Sequence, residues 1–173
     1  NAICLGAQVT VLDVNLARLR ELEHRYGNAL QTGASTRYAI AEALQSADLV
    51  IGSVLIPGAA APKLVTDDMV AGMKPGSLLV DIAIDQGGCF EGSHATTHDA
   101  PTFAVHDALY YCVANMPGAV PENSTRALTN ATLPYVAALA DRGWDAAAAA
   151  DPSLAKGLNV RGGEVVNVGV AAA

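Results

Sequence analysis

The chain has 173 residues, 51% of them apolar, enough to bury one core, so one domain plus a tail is the expectation. Its formal net charge is -7, with no cluster of lysine and arginine, which excludes the basic footprint that nucleic acid or an anionic membrane surface requires. Cys4, Cys89 and Cys112 are odd in number and lack CxxC spacing, so they fit reduced thiols in the cytoplasm better than a disulfide frame.

In chain order, Asn1 to Ala7 reads as the tail of a helix closed by Gly6. Gln8 to Asp13 is a β-branched strand ending in an acid. In dinucleotide-binding folds a glycine-rich turn lies roughly 20 residues before such an acid. Counting back from Asp13 passes the start of the chain, so the first strand and its glycine turn are expected to lie outside it. Asn15 can cap a helix that carries Leu16, Leu19 and Leu22 on one face and stops at Gly27. Arg37 to Ala47 gives a second helical pattern. The continuous apolar run Asp48 to Leu55 suits a parallel strand covered on both faces. The longer apolar stretch from Leu49 to Pro62 is broken by Ser53, Pro57 and glycines and falls short of a membrane span.

Thr66-Asp67-Asp68 predicts a capped helix ending at Lys74-Pro75-Gly76, followed by a strand from Ser77 to Ala83. Thr102 to His106 and Tyr110 to Ala114 complete the strands. Alternation of strands and helices predicts an α/β fold, a doubly wound, Rossmann-type parallel sheet occupying residues 1–120. Residues 121–173 form an alanine-rich helical tail, with Asn123 to Gly143 mostly helix, a kink or interruption expected at Pro134, and a separate short helix from Trp144 to Ala150. Gly157 to Ala173 has no clear periodicity.

Three strand ends carry groups suited to one nucleotide. Asp13 can accept hydrogen bonds from vicinal ribose hydroxyls, and its charge disfavours a 2'-phosphate, pointing to NAD rather than NADP; the plain alternative is a solvated turn aspartate. Arg18 can reach a phosphate or the adenine edge, or simply solvate its helix. Asp85, in Ile82-Ala83-Ile84-Asp85-Gln86-Gly87-Gly88, stands where such folds place their ligand crevice. It can orient a ribose, a substrate or a water, or merely start a Gly-Gly turn. Asn115, between Val113 and Met116, can bond the nicotinamide side or only mark the turn at Pro117-Gly118. Cys89, His94 and His98 match no standard zinc spacing and show no fourth ligand, so no metal is expected. His106-Asp107 has no companion serine elbow to support hydrolysis.

The strings Val80-Asp81-Ile82-Ala83-Ile84-Asp85-Gln86-Gly87-Gly88-Cys89-Phe90-Glu91-Gly92 and Tyr111-Cys112-Val113-Ala114-Asn115-Met116-Pro117-Gly118 closely resemble bacterial L-alanine dehydrogenases, and the likeness spans essentially the whole chain. The resemblance implies NAD-dependent, reversible oxidative deamination of L-alanine to pyruvate and ammonia by a cytoplasmic homohexamer. Carried over by position, it implies that Asp13 holds the adenosine ribose, with Arg18 and Ser35 along the adenosine and phosphate side. Val54 and Leu55 would flank the adenine, Ile82, Ala83, Ile84 and Asp85 would line the nicotinamide side, and Val113, Ala114, Asn115 and Met116 would close the pocket. Asp85 would also be catalytic, working with a histidine of a separate substrate domain, on which the helical tail would pack. That domain would also supply the arginine and lysine for the substrate carboxylate, so this segment alone is expected not to turn over. The competing readings are the nucleotide-binding part of proton-translocating transhydrogenase, whose corresponding loop lacks the Ile-Asp-Gln-Gly-Gly-Cys-Phe pattern, and a non-catalytic NAD-binding module.

Overall fold

The computed structural model describes residues 1–54, 56 and 60–171. The chain opens on a single 3-10 turn, Ile3–Leu5, closed by Gly6 in the left-handed region at φ 85°. Strand β1 (Val9–Asp13) and helix α1 (Leu16–Tyr26) follow as expected. Asn15 caps α1 by accepting a hydrogen bond from the Arg18 N–H at 3.1 Å, satisfying one of the free donors of the first turn. Of the three leucines on that helix, only Leu19 is buried.

After α1 comes a strand that the sequence pattern did not predict, β2 (Leu30–Ala34), pairing parallel to β1 with Val9 opposite Leu30 and Asp13 opposite Ala34. Helix α2 (Arg37–Leu44) is capped by Thr36 Oγ1, which accepts the Ala39 N–H at 3.1 Å.

A second sheet has the order β3-β4-β6-β5, from β3 (Leu49–Gly52), β4 (Leu78–Asp81), β5 (Thr102–Val105) and β6 (Ala108–Tyr111). Strands β3, β4 and β6 are parallel, but β5 runs antiparallel to β6. The sheet is thus parallel-dominated, as expected, with β5 as its antiparallel edge: only two residues, His106 and Asp107, join the strands, and a connection that short makes a hairpin. His106 takes φ 51° to close it. Helix α3 (Asp67–Ala71) is shorter than expected; Thr66 makes no side-chain cap, and Glu91 instead accepts the Asp67 N–H at 2.8 Å.

The core lies on one face of this second sheet, where Leu44 of α2, Val65, Val70 of α3, Leu79, Phe90 and Tyr110 meet. Phe90 packs edge-on to Tyr110 with ring centroids 5.8 Å apart. The opposite face holds the in-register residues Leu49, Leu78 and Leu109 in one row and Ile51, Val80 and Tyr111 in the next. Leu49, Ile51 and Leu109 remain exposed there, so the apolar run at β3 is covered on one face rather than two among the described residues.

Helix α4 spans Pro121–Ala150 and passes through Pro134 without a break. The interruption falls at Gly143, the boundary expected between the two helical pieces, whose φ of 70° and ψ of 171° no helical residue adopts. Only Ala147 of α4 is buried. Helix α5 (Pro152–Ala155) follows, and the segment from Gly157, read as aperiodic, forms the hairpin β7 (Val160–Arg161) with β8 (Glu164–Val165), and α6 (Val168–Ala171). No helix among the described residues is long and apolar enough to cross a membrane.

Candidate functional site

The candidate residues fall into three groups, each beyond the carboxyl end of a parallel strand. In the first, the Ser35 N–H donates to the Asp13 carbonyl at 3.0 Å, which joins the ends of β1 and β2. Asp13 Oδ1 accepts the Asn15 N–H at 2.8 Å, so the carboxylate is oriented by the turn that starts α1. Arg18 is exposed and bound to Glu21 at 2.5 Å; that hydrogen bond and the Glu21 charge raise the guanidinium pKa further.

The second group surrounds a cleft of about 310 Å³ lined by Ser53, Val54, Ile82, Ala83, Asp85 and Gln86. It lies past the ends of β3 and β4, which the hydrogen bond from the Ile82 N–H to the Gly52 carbonyl, 2.8 Å, holds together. Asp85 sits in a 3-10 turn, Ile84–Gln86, closed by Gly87 at φ 89°. The Asp85 carboxylate is exposed and makes no hydrogen bond among the described residues. Gln86 Oε1 is buried without a hydrogen-bond partner among the described residues; a buried acceptor left unpaired is costly and is satisfied by a ligand or water. Ile84 does not line the cleft, because its side chain turns into the core. Leu55 lies outside the described residues.

The third group follows β6. Val113 is fully buried and bridges to Thr96, and the Ala114 N–H donates to the Thr96 carbonyl at 3.1 Å. Asn115 takes a left-handed conformation, φ 57° and ψ 52°, with its carbonyl 3.2 Å from His98 Nε2. Met116 begins the 3-10 turn Met116–Ala119. None of Val113, Ala114, Asn115 or Met116 lines the Asp85 cleft. A larger, open depression of about 420 Å³ between α2 and α3, bordered by Arg37, Gln45, Thr66 and Asp68, contains none of the candidates.

Cys89, His94 and His98 have separate engagements. Cys89 Sγ donates to Asp81, His94 stacks on Phe103 at 3.8 Å, and His98 meets Asn115. Among the described residues no three His, Cys, Asp or Glu side chains are placed to share an ion. Burial first, then the Asp81 charge, pushes the Cys89 thiol up to about 12, and burial also raises Cys112. Since the thiolate is the reactive form, a disulfide reagent near neutral pH is expected to label exposed Cys4 alone in the folded chain and all three cysteines after unfolding. Rapid native labelling of Cys89 would contradict this packing.

Sequence reasoning missed Asp81 and Lys63. Asp81 is buried at the end of β4, where it gathers donors from the turn that carries Asp85. Lys63 Nζ donates to the carbonyls of Gly87 at 2.6 Å and Phe90 at 3.1 Å. The available signal was an acid closing the apolar run Leu78-Leu79-Val80, directly before a Gly-Gly turn.

Residues 1–168 match the family model described as "Alanine dehydrogenase/PNT, C-terminal domain". An alanine dehydrogenase of Mycolicibacterium smegmatis is 59% identical over 167 residues, covering 96% of this chain and 45% of that protein. A solved L-alanine dehydrogenase superposes with a TM-score of 0.83 at 47% identity, covering 99% of this chain and 47% of that one. A transhydrogenase from Sinorhizobium meliloti gives a TM-score of 0.73 at 27% identity, covering 96% and 44%. The chain thus spans about half the length of these relatives.

Proposed function

The chain belongs to the family of alanine dehydrogenase/PNT C-terminal domains, and from that premise we propose that it forms the nucleotide-binding part of an NAD-dependent alanine dehydrogenase. The reaction is the reversible oxidative deamination of L-alanine to pyruvate and ammonia, in a homohexameric, cytoplasmic protein. The observation that carries the reading is the cleft beside Asp85 at the carboxyl ends of adjacent parallel strands, the place where open α/β sheets take their ligands.

The groups present suit the dinucleotide. Asp13 offers a carboxylate oriented by Asn15, and Gln86 Oε1 in the cleft wall, buried and unpaired among the described residues, calls for a donor such as a hydroxyl or amide. Asp13, Arg18 and Ser35 would serve the adenosine and phosphate side; Ile82, Ala83 and Asp85 the nicotinamide side, joined by Val54, which the resemblance set beside the adenine but which lines the same cleft; Ile84 would contribute only through its backbone; and Val113, Ala114, Asn115 and Met116 would close the site from the neighbouring turn. Leu55 keeps its assignment beside the adenine. When bound, NAD supplies the ring that accepts hydride from the substrate α-carbon. Asp85 then orients the reacting group and exchanges a proton with the water or amine, work that general acid–base catalysis asks of a positioned carboxylate. Binding of the substrate carboxylate falls to groups outside this chain, so it is inactive alone. Residues 1–120 make the nucleotide-binding unit, and 121–173 the tail that packs on the substrate domain.

Asp13→Ala in the full-length protein is expected to weaken NAD binding by about 10–100-fold, the worth of hydrogen bonds to a charged group, as read by equilibrium titration. Unchanged affinity would remove Asp13 from the site. The functional reading itself is tested by alanine-dependent NADH formation: turnover by the full-length protein supports it, and none with alanine refutes it. The transhydrogenase reading rests on a weaker likeness, 27% against 47% identity.

A further inference from the structure

We propose that Asp81 is the positioning residue for Asp85, and that it works with Lys63 to clamp the turn between them from two sides. The proposal rests on the functional reading above. The need for a clamp follows from Asp85 itself: its carboxylate makes no hydrogen bond among the described residues, so the backbone of its turn sets where it points.

That backbone converges on one buried carboxylate. Asp81 Oδ1 accepts the Ala83 N–H at 3.1 Å, on the amino side of Asp85. Asp81 Oδ2 accepts the Cys89 N–H at 2.9 Å, the Phe90 N–H at 3.4 Å and the Ser93 hydroxyl at 2.5 Å, all on the carboxyl side. The Cys89 thiol adds a weaker donor to Oδ1 at 3.5 Å. Both ends of the segment are therefore tied to a single side chain that is inaccessible to solvent.

Lys63 complements it by donating to the Gly87 and Phe90 carbonyls. The acid takes the N–H groups of the segment and the ammonium takes its carbonyls. Gly88 completes the fit at φ 75°, because a Cβ there would approach both Asp81 Oδ2 and Ser93 Cβ to 2.7 Å.

A carboxylate, rather than an amide, suits the site. Every neighbour named is a donor, and a buried carboxylate is tolerated when several donors satisfy it. An asparagine amide would direct one N–H2 group against backbone N–H donors. Asp81 does not line the cleft, so it acts through Asp85 and not on substrate.

The test uses the full-length protein with L-alanine and NAD. Asp81→Asn is expected to lower kcat by about 100-fold, the penalty for misplacing a reacting group by roughly an ångström, with both KM values nearly unchanged. The pH profile of kcat should move as well, because the surroundings of Asp85 change. Should Asp81→Asn fail to fold, Ser93→Ala decides: it removes one hydroxyl from Asp81 and is expected to lower kcat by roughly tenfold, the worth of one hydrogen bond to a charge, with Ser93→Thr restoring activity. A folded Ser93→Ala with wild-type kcat and pH profile would overturn the positioning role while leaving the functional reading intact. An inactive wild type would remove both.

Discussion

Exchanging Asp85 for asparagine in the full-length protein is expected to lower kcat for alanine oxidation by about 1000-fold, within the range that general acid–base catalysis contributes. The side chain is exposed, bonded to nothing among the described residues, and absent from the hydrophobic core. Its replacement by a near-isostere therefore leaves folding intact. Asparagine can still orient a hydroxyl but cannot take up a proton, so binding and chemistry separate. Dinucleotide affinity should change by less than about tenfold, as expected for loss of charge from one hydrogen bond. Steady-state kinetics with an equilibrium titration distinguish the two. A variant that keeps wild-type kcat would place the proton-transferring group elsewhere.

The second large effect concerns the strand end that faces this turn. Gly52→Ala is expected to destabilise the fold by about 3 kcal/mol, the upper part of the ordinary range for overpacking a core. Gly52 is buried, and a Cβ there would collide with Cys89 Sγ and come within 2.7 Å of Phe90 Cζ and 2.8 Å of Phe90 Cε1. Neither neighbour can withdraw easily. Cys89 is tied to Asp81 through its N–H and thiol, and Phe90 is packed against Tyr110. At Gly33 an added Cβ would meet only Leu12 Cδ2, at 3.0 Å, the movable end of a side chain, so Gly33→Ala serves as a mild control. Denaturant midpoints of the two variants measure the difference. Equal midpoints would show that the contact at Gly52 relaxes freely.

Strands whose apolar runs close on an acid were legible in the sequence. The strands read over Gln8 to Asp13 and Ser77 to Ala83 form at Val9–Asp13 and, shorter than read, at Leu78–Asp81, because β-branched and leucine runs bounded by turns have few other ways to be buried. Strand β2 was not legible: Leu30-Gln31-Thr32-Gly33-Ala34 carries one large apolar residue, and its strand character comes from backbone pairing with β1. The direction of β5 depended on the two-residue connection at His106-Asp107, a pair that is not among the usual hairpin turn sequences. Pro134 misled because a proline costs a helix one hydrogen bond, and here the helix continues to a glycine that breaks it nine residues later.

The site was legible by strand ends but not by grouping. Asp13 with Ser35, and Val54 with Ile82, Ala83 and Asp85, come together from separate elements. Val113 to Met116, read as closing the pocket, lie on a neighbouring turn tied to Thr96 and His98, outside the Asp85 cleft itself. Asp81 escaped notice for a physical reason: its role is set by donors two to twelve residues later, which converge only when the turn folds back.

The central claim is that one NAD molecule runs from the end of β1 to the end of β4, and a crystal structure of the full-length protein with NAD bound tests it most directly. The account predicts the adenosine ribose hydroxyls on the Asp13 carboxylate and the nicotinamide ribose and ring in the cleft beside Ile82 and Asp85. A dinucleotide seated away from both carboxylates, for example in the depression between α2 and α3, would contradict it.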